Sequence, residues 1–243
     1  YLPYKPVRRT RSSIAKGKGL EPLAKLVWAQ GNISVELTAL QYINAELEVE
    51  SVKEALSGAR DIMAEWISVN AAARNLIRDL YWSDGVISSR VIREKDEAGS
   101  KYRDYFAWDE RVSNLVSHRV LAVFRGMKER CLTVSIAPPI NLSLEHLYKV
   151  FVKRDGEASD QVKEAIQDAY KRLLRPSIET EVRNAIKLDA EKTSIEVFAK
   201  NVEQLLLSPP LGNKRIMAID PGFRTGCKLA CLGEQGQVLS VDT

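Results

Sequence analysis

Histidine and cysteine are scarce in this 243-residue chain, and their scarcity narrows its chemistry. Only His118 and His146 are present, and His146 has no metal-ligating residue three or four positions away. Cys131, Cys227 and Cys231 form an odd set without the spacing of a disulfide framework, which argues for a reducing compartment. On a strand, Cys227 and Cys231 would share a face about 13 Å apart, too far to clasp one ion. They read instead as buried small side chains. No apolar run reaches the roughly 20 residues needed to cross a bilayer, and no signal peptide is visible. The expectation is a cytoplasmic protein, away from membranes, with no cofactor.

Acidic residues are missing from one stretch. Residues 1–18 hold Lys5, Arg8, Arg9, Arg11, Lys16 and Lys18 and no Asp or Glu. Setting those six aside from the 36 bases leaves 30 against 32 acids, so the net charge of +4 originates in this segment. Such a stripe neutralises phosphates and releases counterions, giving sequence-independent and salt-sensitive binding to RNA or DNA. A solvated connector whose cations meet acids elsewhere in the fold is the alternative. Tyr1, Pro3, Tyr4 and Pro6 give the segment the character of an extended strip docked on a body.

Helix signals dominate the chain beyond this segment. Pro22 suits a first helical turn, with Leu23, Leu26 and Val27 on one face and Gly31 as the stop. Ser51-Val-Lys-Glu54 has the form of a capping box, and Val52, Leu56, Ala59, Met63, Trp66 and Ile67 recur behind it at helical spacing. Asn70 caps 71–81, and Asp84-Gly85 ends that helix. Residues 117–127 read as helix, whereas Leu132–Ile136 alternates like a strand until Pro138-Pro139. Ser143 and Ser159 open two further helices, the second kinked or ended by Pro176. A long amphipathic helix spans 178–207, and Ser208–Gly212 is a linker. Past it, two apolar runs flank Asp220-Pro-Gly, and Gly233–Gly236 leads to a third strand at 237–241. The expected fold class is mainly α: a multi-helix body over 1–208, then the first β-strands of a truncated α/β domain over 209–243.

Several strings resemble the Tex family of bacterial transcription accessory proteins. They are Tyr1–Pro6 with Arg8–Thr10, Lys101–Phe106, Ser117–Arg119 with Arg125-Gly126, and Asp220–Lys228. Val7 stands where the family usually has Lys, and Met127 where it has Glu. The resemblance implies a helical region followed by a YqgF-type domain with the fold of RNase H and Holliday-junction resolvases. Helix-hairpin-helix elements and an OB-type RNA-binding domain would lie further on. It associates the chain with nucleic acid and the transcription machinery rather than with an established catalytic activity.

In nucleases of that fold an Asp on the first strand joins later carboxylates around two metal ions. Asp220 would be catalytic only if the complete domain were such a nuclease; alone it reads as a turn former. A phosphate-binding hairpin using Thr225 and Lys228 is a rival reading. His118, near a helix start, reads as packing or hydrogen bonding rather than acid–base chemistry. Tyr102, Tyr105, Phe106 and Trp108 form either a base-stacking platform or an anchor to the core. The expected nucleic-acid contacts are Lys5, Arg8, Arg9, Arg11, Lys16, Lys18, Arg119 and Arg125, with Arg90, Arg93 and Lys95 as candidate helpers. The expected function is a non-catalytic scaffold. Its alternatives are a protein-interaction module and part of a metal-dependent nuclease.

Overall fold

Helix α4 (Val52–Val69) buries Ala55, Ala59, Ile62, Met63, Ala64 and Ile67 along one side, and its neighbours pack on that stripe. Those neighbours are described in a computed structural model covering residues 9–92, 99–209, 211–222 and 226–243. Before α4 come α1 (Arg11–Gly17), α2 (Glu21–Ala29) and α3 (Val35–Leu40), and α5 (Ala71–Ser83) follows it. Small residues on α4 set the approach of α1. A Cβ added at Gly58 would lie 2.3 Å from Leu20 Cδ1 and 3.3 Å from Ala15 Cβ.

Two caps match the sequence signals, with one variation. Asn70 Oδ1 accepts the Ala73 N–H at 2.9 Å, as expected for a helix opening at Ala71. Ser51 Oγ accepts the Glu54 N–H at 3.3 Å, but the Glu54 carboxylate takes the N–H of Glu50 rather than that of Ser51. The box is therefore half closed and borrows a donor one residue upstream.

Gln30, not Gly31, ends α2 in a left-handed conformation with φ of 56°. The buried amide justifies that geometry. Its Nε2 donates to the Phe151 carbonyl at 2.8 Å, and its Oε1 accepts from Lys153 N–H and Ser159 Oγ at 2.9 and 3.0 Å. One side chain thus joins the end of α2 to the chain around 151–159.

The middle of the chain forms a three-stranded antiparallel sheet in the order β2-β1-β3. Its strands are β1 (Val86–Val91), β2 (Ala107–Arg111) and β3 (Leu132–Ala137), with α6 (Ser117–Lys128) between the last two. Only β3 was legible. In β1 and β2, serines, charges and a tryptophan replace the apolar run that marks a strand.

Helices α7 (Ile140–Phe151) and α8 (Glu157–Asp168) begin ahead of the expected Ser143 and Ser159. Pro139 and Gly156 occupy the cap positions, and both serines lie buried inside the helices. Ser143 Oγ donates to the Pro139 carbonyl at 3.2 Å. Pro176 does not end the helical path. A π-helical turn at Ala169–Leu174 joins α8 to α9 (Arg175–Leu206), and this change of hydrogen-bond frame accommodates the proline ring. The body's core combines Leu23, Val27, Ile62, Ile77, Tyr81, Ile166, Tyr170 and Leu174, all fully buried.

The chain divides into two compact units between Ser194 and Ile195, inside α9. Within the first unit, Ile178, Val182, Ile186 and Ala190 of α9 are buried. The second unit holds the end of α9 and an antiparallel meander, β4 (Ile216–Pro221), β5 (Cys227–Leu232) and β6 (Val238–Asp242), in that order. These strands match the expected apolar runs. The cysteines differ from expectation: Cys227 is exposed and Cys231 half-buried, because this sheet carries no covering layer among the described residues, and only Cys131 is buried.

Candidate nucleic-acid interface

The described part of the basic segment is a helix rather than an extended strip. Thr10 Oγ1 accepts the Ser13 N–H at 3.0 Å and Ser13 Oγ accepts the Thr10 N–H at 2.8 Å, a reciprocal cap that starts α1. Ser12 and Ala15 are buried against the body. Lys5 and Arg8 lie outside the described residues, as do Arg93 and Lys95.

The remaining cations of this segment fall into two groups. Lys16 Nζ lies 2.6 Å from Glu65 of α4, and Ser12 Oγ donates to the same carboxylate at 2.7 Å. The Lys16 hydrogen bond is the main cause holding the Glu65 carboxyl below the ordinary carboxylate range. Lys18 Nζ donates to the Glu48 carbonyl at 2.8 Å and lies 3.3 Å from its carboxylate. Arg9 and Arg11, by contrast, are exposed and form no ion pair among the described residues.

Arg11 borders a polar cleft of about 400 Å³ between α4 and α8, where Arg11, Arg60 and Lys171 face Asp61, Glu164 and Asp168. Three bases against three acids make the cleft balanced rather than cationic. Arg172 joins Asp61 at 3.1 Å to Asp168. Burial is the main effect on Asp61, raising its carboxyl above the ordinary range against the attraction of Arg172 and Arg11.

The other expected contacts lie elsewhere on the body. Arg119 pairs with Glu110 at 3.1 Å, and Arg90 grips Asp109 through two bonds of 2.7 and 3.0 Å. Arg125 is exposed on α6, and no described carboxylate pairs with it. His118 is exposed at the second position of α6, and His146 Nδ1 lies 2.8 Å from the Leu142 carbonyl. Of the aromatic group, Tyr102 is buried against Cys131 and Leu132, with Tyr105 and Phe106 packed beside it. Tyr105 meets Trp108 edge-on at 5.5 Å. These rings anchor the loop to the sheet. Gly126 permits the approach, since a Cβ there would lie 2.6 Å from Leu132 Cδ1.

Asp220 is exposed and stands across the ladder from Lys228. The loop beyond closes through the Gly222 N–H and the Gly226 carbonyl at 2.9 Å, with Gly226 at φ of 68°. Residues 223–225, including Thr225 of the phosphate-hairpin reading, lie outside the described residues. Among the described residues no cluster of His, Cys, Asp or Glu is arranged to hold a metal, and no helix is long and apolar enough to cross a membrane.

Sequence reasoning did not single out Glu65, Glu48, Asp61 or Arg172. Apart from Arg172–Asp168, which has the i,i+4 spacing of a helix pair, their partners lie 30 to 111 positions away, and no local spacing signals such pairs.

Comparison with known proteins gives two family matches. Residues 32–198 match the Tex central region-like family, and residues 214–243 match the Tex protein YqgF-like domain. Uncharacterized protein YdcI of Bacillus subtilis is 40% identical over the whole chain, which covers 34% of that protein. Protein tex of Bordetella pertussis is 35% identical over the whole chain, covering 32% of its own length. Transcriptional accessory protein Tex of Neisseria gonorrhoeae is 35% identical over 98% of the chain and 32% of that protein. The chain therefore spans about a third of the length of these relatives.

Proposed function

The chain belongs to the Tex family, and from that premise we propose that it is part of a non-catalytic scaffold whose basic leading segment grips nucleic-acid phosphates. The observation that carries this reading is the division among the cations around α1. Lys16 and Lys18 clamp the helix to the body, whereas Arg9 and Arg11 are exposed and form no direct ion pair among the described residues, Arg11 attracting Asp61 only across the cleft. Exposed guanidinium groups at the start of a docked helix release counterions when they meet phosphates, in RNA or DNA alike. The name of the Neisseria relative, a transcriptional accessory protein, supports a role beside nucleic acid or the transcription machinery. In the complete protein other modules supply most of the affinity, and the module boundary falls at 208/209. Arg119 contributes only when Glu110 is displaced. Asp220 does no chemistry in this reading; a nuclease would have to bring further carboxylates to it.

Replacing Arg8, Arg9 and Arg11 together with Ala is expected to weaken binding of a single-stranded oligonucleotide in a filter titration. The slope of log affinity against log salt should fall by up to about one unit per lost phosphate contact. Unchanged affinity and slope would reject the assignment. A protein-docking role is the second reading. It is favoured by the apolar stripe of Ile195, Phe198, Val202 and Leu206, which lines an open groove on the last part of α9.

A further inference from the structure

Away from the basic leading segment, α6 and α9 flank an open groove of about 790 Å³. Its floor is Leu121, Phe124 and Met127 of α6, where Phe124 is buried and the other two half-buried. Its rims carry four bases, Arg125 and Lys128 on α6 and Arg183 and Lys187 on α9, of which the α9 pair is already met by carboxylates.

We propose that this groove docks an acidic amphipathic helix supplied by a partner protein. The charges around the groove favour that occupant. Two acids share the lining with the four bases, and both are engaged: Glu129 by Lys101 at 2.7 Å and Glu191 by Lys187 at 3.5 Å. Arg183 is fixed in place by Glu179 at 2.6 Å. Arg125 and Lys128 are exposed and have no ion-pair partner among the described residues. Arg125 also attracts the Glu129 carboxylate that Lys101 holds, so with four bases to two acids the lining keeps a cationic excess, centred on Lys128 and Arg125, beside an apolar floor.

The arrangement of the lining selects between the two anionic macromolecules that could enter. A phosphodiester backbone would satisfy the rims but leave Leu121 and Met127 against polar sugar and phosphate. An amphipathic helix meets both features at once, with apolar anchors at i, i+3/i+4 and i+7 on the floor and carboxylates toward Arg125 and Lys128. The length also fits. Helix α6 has 12 residues, so the wall it offers is about 18 Å long and matches three to four turns of a docked helix. Arg125, grouped by the sequence with the phosphate-gripping cations, acquires a different partner in this reading, independent of the role proposed for Arg9 and Arg11.

The test is fluorescence anisotropy on the whole chain. The probe is a labelled helical peptide of about 16 residues with leucines on one face and glutamates on the other. Its control has the same composition with the leucine positions scrambled. The expected result is saturable binding of the patterned peptide, weakened about tenfold by scrambling and by the double change Arg125→Glu/Lys128→Glu. Both substituted side chains are exposed, and an unchanged melting curve will show that the variant is folded. Equal binding of the two peptides, no binding of either, or full affinity in the charge-reversed variant would each overturn the proposal. So would a single-stranded oligonucleotide that binds wild type, loses affinity in the same variant and finds no patterned-peptide binding beside it; that outcome assigns the groove to nucleic acid.

Discussion

The two ends of α9 carry similar side chains in opposite surroundings. Ile178, Val182, Ile186 and Ala190 disappear into the core of the helical body. Phe198, Leu205 and Leu206 continue the apolar pattern but are 69%, 74% and 80% exposed. The meander extends the contrast, with Met217, Ile219 and Val241 exposed on its strands. Helical periodicity therefore records that a face is apolar and is silent on what covers it. In the first unit the covering elements are described; in the second, α9 and the meander hold large apolar areas open to solvent, the composition of a surface that meets another layer.

The sharpest way to break that contrast is truncation at matched positions. Ile178→Ala is expected to cost about 2–5 kcal/mol in urea denaturation, the scale of a fully buried aliphatic deletion. Leu206→Ala should stay within about 0.5 kcal/mol, as exposed changes do. Equal losses would mean that the distal face is covered in solution. A smaller effect tests how closely the body is fitted. Gly58→Ala places a Cβ against Leu20, the cap residue of α2, and beside Ala15 of α1, and should cost about 1–3 kcal/mol through overpacking. A neutral result would mean that the Leu20 side chain swings aside without loss of packing.

The smallest effect is one of pH, and it sets two carboxylates of α4 against each other. Glu65 is held below the ordinary range, so its contribution to stability is present above that range and is lost as pH falls through its folded value. Asp61 is held above the ordinary range by burial, so its ionised form opposes folding near neutrality, and that cost is relieved on acidification. Glu65→Gln should therefore flatten the acid limb of a melting-temperature profile, whereas Asp61→Asn should steepen it. Identical profiles for the two variants would contradict the opposed shifts.

Helices α2, α4 and α5 were legible because each carries its own start signal: Pro22 inside α2, Ser51 before α4, Asn70 before α5. The meander was legible because its apolar runs are short and punctuated by glycine. What could not be read rested on distant partners. Strands β1 and β2 are polar because each pairs through its backbone, with the β2-β1-β3 order placing an unremarkable VISSRV segment at the centre. Gly31 was the expected stop of α2, and the left-handed turn at Gln30 makes sense only beside Phe151, Lys153 and Ser159. The candidate interface was half legible. Counting charges found the basic segment, but separating Lys16 and Lys18 from Arg9 and Arg11 required Glu65 and Glu48, which lie far along the chain.

One carboxylate, that of Glu65, receives both the Ser12 hydroxyl and the Lys16 ammonium and so works as a latch on the leading helix. A residue-by-residue neutralisation of this stretch will consequently return two kinds of defect under one readout. On the reading proposed above, loss of an outward arginine is expected to weaken nucleic-acid binding and to leave the melting curve alone. Loss of Lys16 removes one of the two donors of that latch and should shift the melting curve itself, by no more than the roughly 0–1 kcal/mol of a partly exposed ion pair.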